Sequence, residues 1–181
     1  MNIRNALFSA IMLLLALGFS SCKTIVPGAV AVKSFEKEKY LGKWYEIARL
    51  DFKFERNLNN TTAEYSLNDN GTIRVLNKGY NTKKEKWQEA EGKAKFVEDD
   101  QTGMLKVSFF GPFYGGYNVI SIDENYKYAL VAGSSLDYLW ILSRETEIPD
   151  SIKKKYVQLA TSIGYTTSEL IWVKHDNTSK E

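Results

Sequence analysis

The sequence predicts an all-β fold: an eight-stranded up-and-down antiparallel β-barrel, with one C-terminal α-helix packed outside it and a short last strand. Three observations lead there. Between residues 43 and 143, short runs of alternating apolar and polar residues follow one another, broken by turns rich in Gly, Asn and Asp. After Arg144 the apolar period changes from that of a strand to that of a helix. Trp44 opens the first run and Arg144 closes the eighth, which in a closed meander puts both at the same end, where a guanidinium can lie flat on an indole.

The 181 residues, 44% of them hydrophobic, suit one domain with a substantial core, and a net charge of +2 gives no footprint for nucleic acid. Residues 1–21 form a separate object. Arg4 precedes an apolar run from Ala10 to Phe19, too short for a comfortable membrane span, followed by Ser20 and Ser21; this is the pattern of a secretory signal. Cys22 is the one cysteine, so an intrachain disulfide is impossible. Its position after small residues resembles the lipid-attachment motif of bacterial lipoproteins, with Phe19 where Leu is usual. Lys23 stands where Asp commonly marks inner-membrane retention, which favours the outer membrane. The alternative is an ordinary signal next to an unpaired thiol. Residues 22–33, with Pro27 and Gly28, read as a lipidated tether able to span about 35–40 Å.

Residues 34–175 form the barrel domain. Ser34–Tyr40 reads as a short helical turn anchored by Phe35 and Tyr40 that plugs one end. Strands are expected at about 43–50, 62–68, 72–80, 86–96, 104–110, 117–122, 127–133 and 138–143. In the first, Trp44, Glu46 and Ala48 point one way, Tyr45 and Ile47 the other. Asp69-Asn70-Gly71 is a tight hairpin signal, and 99–103, 123–125 and 133–135 are further turns. Gly111 to Gly116 reads as a longer, kinked connection. Ile152, Tyr156, Leu159, Ala160 and Ile163 fall on one helical stripe, started near Pro149-Asp150 and ended by Gly164. Leu170–Val173 is the last strand; Lys174 onwards reads as loose, with 176–181 a flexible tail. Trp44 by itself reads most simply as an ordinary core residue, and becomes a barrel floor only with its partner Arg144.

Three blocks then resemble the lipocalin family: Gly42-Lys43-Trp44, Asp123–Tyr126 with altered spacing, and Tyr138–Arg144, whose Arg covers the Trp. Leu41–Leu50, Asn77–Asn81, Glu91–Ala94 and Val107–Ile120 are similar to the bacterial outer-membrane members, and the likeness spans roughly 35–175. The resemblance implies a carrier of a fatty acid, lysophospholipid or phospholipid, tethered to the outer membrane and engaged in lipid storage or transport for envelope maintenance.

An eight-stranded barrel has room for one small ligand. Parity nominates its lining. Tyr138, Trp140, Leu142 and Arg144 share the inward side, as do Ala63, Tyr65, Val75, Asn77, Ala94, Phe96, Val107, Phe109, Ala129 and Val131. Alternatively these side chains simply fill the barrel, giving a structural or interaction lipoprotein of the envelope. Lys53, Arg56, Lys83, Lys84 and Lys86 fall in loops at the open end; they read either as a rim for an anionic head group or as solvated loop charges. Enzyme readings lack support. The one histidine, His175, lies beyond the last strand, no Gly-rich phosphate loop or His/Cys metal spacing occurs, and no cofactor is implied. Glu46 points inward by parity, near the floor, where it reads first as a structural hydrogen-bonding group; lipid hydrolysis or isomerisation on it is the remaining alternative. Pairing of two barrels as a homodimer stays open.

Overall fold

A computed structural model describes residues 24–176. Nine strands form one sheet that closes on itself: β1 (Gly42–Arg49), β2 (Leu58–Leu67), β3 (Ile73–Asn81), β4 (Lys86–Phe96), β5 (Met104–Phe110), β6 (Phe113–Ile122), β7 (Tyr128–Ala132), β8 (Leu139–Ser143) and β9 (Ile171–Trp172). Neighbours in sequence pair antiparallel from β1 to β8, and β8 returns to β1, with Tyr45 opposite Ser143 and Arg49 opposite Trp140. Closure gives each of these eight strands a neighbour on both sides. Among the described residues two α-helices complete the unit, α1 (Lys37–Tyr40) and α2 (Asp150–Ile163), with one 3-10 turn at Thr167–Glu169.

Strand alternation sorts the apolar side chains into two cores. In β8, Trp140 and Leu142 face the barrel interior with Trp44, Val75 and Val131; Leu139 and Ile141 face outward onto α2. The expected stripe of α2, Ile152, Tyr156, Leu159, Ala160 and Ile163, packs into that outer core, and the Tyr156 hydroxyl donates to the carbonyl of Tyr128 at 2.8 Å. Gly164, at φ 110°, ends the helix in the left-handed conformation that a side chain would strain.

Four segments meet at the closed end. The Arg144 guanidinium lies 3.9 Å from the centre of the Trp44 ring. It donates to the carbonyls of Lys43 at 2.7 Å, Lys39 at 2.7 Å, Leu41 at 2.9 Å and Tyr126 at 3.2 Å, while Trp44 Nε1 donates to the Tyr40 carbonyl at 2.8 Å. Most of these acceptors are the unpaired carbonyls at the end of α1, which a cation satisfies both by hydrogen bonding and by charge. Gly42, at φ 88°, turns the chain from α1 into β1 with Arg144 Nη1 only 3.6 Å from where a Cβ would stand. The turn 123–127 is held by Asp123, whose carboxylate accepts from the amides of Asn125, Lys127 and Tyr128. Its altered spacing is absorbed at Tyr126, which takes a positive φ of 54°.

Four expectations are corrected. Ala48 does not share a side with Trp44 and Glu46: a bulge between Glu46 and Ala48 turns both Ile47 and Ala48 outward and brings Arg49 inward. Gly111 to Gly116 is no long connection; β6 begins at Phe113, paired with Phe110 across a two-residue turn. Residues 24–33 are not a free tether but a strap along the barrel: Val26 and Ala31 are buried, Val26 N–H donates to Gly133, and Val32 bonds to both Val119 and Gly103. Lys174–Asp176 is not loose either. β1 is held by β2 only over Gly42–Tyr45; beyond that β9 pairs with Ala48 and Arg49, and the carbonyl of Lys174 and the side chain of Asp176 bond to Asn60 of β2. His175 Nε2 donates to the Glu46 carbonyl at 2.8 Å, so the segment wedges the gap between the two strands. The signal, Cys22 and residues 177–181 lie outside the described residues.

Replacing Arg144 by Lys keeps the charge but removes the planar fork that serves several carbonyls at once. Urea denaturation should show a loss of ~1–3 kcal/mol; an unchanged midpoint would mean that the fork is not needed.

Candidate functional site

The barrel interior is not filled. A cavity of about 520 Å³ runs from Tyr40 at the floor to Phe54, Phe110, Phe113 and Tyr138 at the opposite end. Its volume falls in the range that holds a small-molecule ligand. The space arises from small residues at inward positions: Ala63, Ala90, Ala94 and Gly115 all border it. At the floor the Tyr117 hydroxyl pairs with those of Tyr40 at 2.6 Å and Tyr65 at 2.7 Å, so three phenols consume one another's hydrogen-bonding capacity and present mainly ring surface. Burial pushes all three phenols up, so they stay neutral. Along the wall, Thr61 Oγ1 and Asn77 Oδ1 are buried without a hydrogen-bond partner in the protein, leaving two polar points in an apolar lining.

An eight-stranded closed meander, a Trp–Arg floor, an external helix and an unfilled interior together match one family. The profile of the lipocalin-like domain matches residues 35–175. The chain belongs to the lipocalin family. Among curated relatives it is 54% identical to "Outer membrane lipoprotein Blc" of Citrobacter freundii, over 85% of this chain and 88% of that one. It is 48% identical to the protein of that name from Vibrio cholerae, over 86% and 91%. Insecticyanin from the tobacco hornworm superposes with a TM-score of 0.66 at 19% identity, covering 86% of this chain and 89% of that one, a likeness of fold.

In this lipocalin the structure places Ala63, Tyr65, Val75, Asn77, Ala94, Val107, Phe109, Tyr138 and Trp140 on the cavity wall. Phe96, Ala129 and Val131 also face the interior, but they pack around the floor with Phe35 and Trp44 and do not border the void. Of the loop cations, Arg56 is paired with Asp51 at 2.7 Å and Lys53 lies over the Phe54 ring at 4.8 Å. The amides of Lys83 and Lys84 donate to Asn81 Oδ1, leaving their side chains exposed, and Lys86 is exposed too. These five stand outside the wall, where Lys78 is the bordering lysine.

The wall also carries a charged group that alternation does not reveal. Arg49, brought inward by the bulge, pairs with Glu46 at 2.5 Å and donates to the carbonyls of Glu55 at 2.7 Å and Leu58 at 3.0 Å. Glu55 folds in from the β1–β2 loop, and its carboxyl accepts from Trp140 Nε1 at 3.1 Å. Burial first, then the neighbouring Glu46 charge, push the Glu55 carboxyl well above the ordinary glutamate value; the Trp140 hydrogen bond and Arg49 pull it back only partly. Burial raises Glu46 too, against the opposing charge of Arg49. Two carboxyls beside one guanidinium therefore retain a proton to higher pH than exposed glutamates would. Two sequence signals point to this group: the doublet Ile47-Ala48, which breaks alternation just before Arg49, and an acid in a loop otherwise rich in Phe.

A raised folded-state pKa contributes stability below the unfolded value of about 4.3 and loses it as pH rises through the folded value. Above about pH 4.3 these two carboxyls should therefore draw stability down as pH rises, against a rise from His175, whose imidazole is pushed by burial below its ordinary value. Glu55→Gln, whose amide oxygen can still accept from Trp140, should flatten that slope in urea titrations. A variant with the wild-type slope would show that Glu55 is not the group responsible.

Proposed function

We propose that this lipocalin is a lipid-anchored protein of the bacterial outer membrane that holds the acyl chain of a fatty acid, lysophospholipid or phospholipid in its barrel, for storage or transport of lipid in envelope maintenance. The observation that carries the reading is the apolar cavity of about 520 Å³, open at the end away from the Trp44–Arg144 floor. An acyl chain entering there meets aromatic and aliphatic side chains, and each methylene buried is worth about 0.8 kcal/mol. The phenols at the floor are occupied with one another, so the deep end suits a methyl terminus better than a polar head. The Glu46–Glu55 pair likewise disfavours a carboxylate or phosphate at mid-depth. Head groups thus stay at the mouth, within reach of Lys53, Lys83, Lys84 and Lys86, which we propose as their partners together with Arg56. Anchoring rests on Cys22 and its flanking residues, and is supported by relatives named outer membrane lipoprotein.

The test is mass spectrometry of lipid extracted from unstripped protein, paired with titration of delipidated protein. A single-acyl lipid should co-purify. Ala63→Phe, which adds a ring to the void, should weaken binding about tenfold or more, or ~1.4 kcal/mol. Reversing Arg56, Lys83 and Lys84 to Glu should weaken fatty-acid binding while leaving the fold intact. Unchanged affinity in the triple variant would remove the rim role, and lipid-free protein that binds nothing would remove the carrier role.

A further inference from the structure

The open end is apolar on its outside as well as its inside. Among the described residues the large hydrophobic side chains left exposed concentrate there: Phe113 at 78%, Phe110 at 66% and Phe54 at 62%, with Tyr114, Leu136 and Tyr138 beside them. They come from the β1–β2 connection, the adjoining ends of β5 and β6, and the β7–β8 connection, so the patch belongs to the mouth and to no single loop. Phe54 and Phe110 touch, with centroids 5.7 Å apart, although β1 and β5 lie on opposite sides of the barrel. A contiguous exposed apolar patch marks a contact surface.

Charge divides the same way. The mouth connections and the first residue of β4 carry Lys53, Arg56, Lys83, Lys84 and Lys86, against exposed Asp51, Glu85 and Asp137. The turns at the closed end carry Asp69, Glu98, Asp99, Asp100, Asp123 and Glu124, against Lys127. The molecule is thus basic at the end that is also apolar, and acidic at the other.

The chain upstream points to the same end. Thr24 lies beside β6: its carbonyl accepts from Asn118 Nδ2 at 2.7 Å, and a Cβ on Gly116 would stand 1.8 Å from that carbonyl oxygen, so Gly116 is what lets the strap pass. Gly116 is three strand residues, roughly 10 Å, from Phe113 at the mouth. Cys22 is two residues before Thr24, a reach of at most about 7 Å. The strap runs from Thr24, beside Gly116, to Val32, beside Val119 and nearer the floor, so its upstream end is the one directed toward the mouth.

We propose that the mouth of the barrel docks on an anionic lipid bilayer surface, with Phe54, Phe110 and Phe113 entering the interface and the rim lysines facing the head groups. The barrel then opens onto the bilayer, and lipid can pass between membrane and cavity without crossing water. The inference takes its direction partly from the proposed anchor at Cys22 but does not depend on which lipid the cavity holds.

The test uses the full chain, matured in cells and reconstituted into phosphatidylethanolamine–phosphatidylglycerol vesicles. Single cysteines, Phe113→Cys at the mouth and Asn70→Cys at the floor, receive an environment-sensitive fluorophore. Mass spectrometry of Cys22 reports anchoring separately. The label at 113 should shift to shorter wavelength, be quenched by spin-labelled lipid, and be shielded several-fold from iodide relative to the label at 70. Phe54→Ser combined with Phe110→Ser should diminish that shielding, whereas Leu67→Ser at the closed end should not. Equal iodide access at both labels on an anchored chain overturns the docking while leaving the carrier reading untouched. Shielding of position 113 without vesicles would assign the surface to a second copy of the chain, and also overturns it.

Discussion

A guanidinium lying on an indole, and donating at the same time to carbonyls from three other stretches of chain, is the contact on which the rest of this barrel depends. Trp44 belongs to β1, Arg144 follows β8, and the acceptors come from α1, the entry to β1 and the 123–127 turn. Each partner alone is weak. A cation–π contact is worth about 0.5–2 kcal/mol, and a hydrogen bond about as much. Their convergence sets which residues face inward around the whole sheet, because a one-residue slip in β1 or β8 would turn Trp44 or Arg144 away from the floor. Sealing one end also gives the void a single entrance.

An unfilled interior costs stability, since its walls forgo the contacts that packed neighbours would make. Here the cost is confined to the centre of the barrel. A second core between the sheet and α2, with Leu130, Leu139, Ile141 and Tyr156 fully buried, is packed solid and supports the walls from behind. The Glu46–Arg49–Glu55 group adds a further cost of desolvation, which its hydrogen bonds offset only in part.

Much of this was legible in the sequence, and the reasons for what was not are physical. Strand number, order, closure, the external helix and the floor all follow from period-2 alternation and from the two ends of the meander meeting. The alternating positions of β2, β3, β5 and β8 gave wall residues such as Tyr65, Val75, Val107 and Trp140. Alternation fails where the backbone inserts a residue, so the bulge in β1 puts Ala48 on the side opposite to the expected one and leaves Arg49 without an alternation signal of its own. It says nothing about loop side chains that fold inward, so Glu55 was missed. Small residues were read as slack in both Lys23–Lys33 and Gly111–Gly116, whereas in the structure they permit close packing: the strap runs against Gly116 and Gly103, and β6 extends to Phe113. Short polar segments such as Lys174–Asp176 carry no apolar pattern, and their placement rests on single hydrogen bonds that no periodicity encodes.

That closing segment has a consequence for the order of assembly. Because β1 and β2 part after Tyr45 and the seam is stitched by residues 171–176, the first strand cannot be fully paired until those residues are in place. A nascent chain lacking residues 171–176 holds an open seam along the very strand that carries the tryptophan, so completion of the barrel waits on a segment made more than a hundred residues after its first strand.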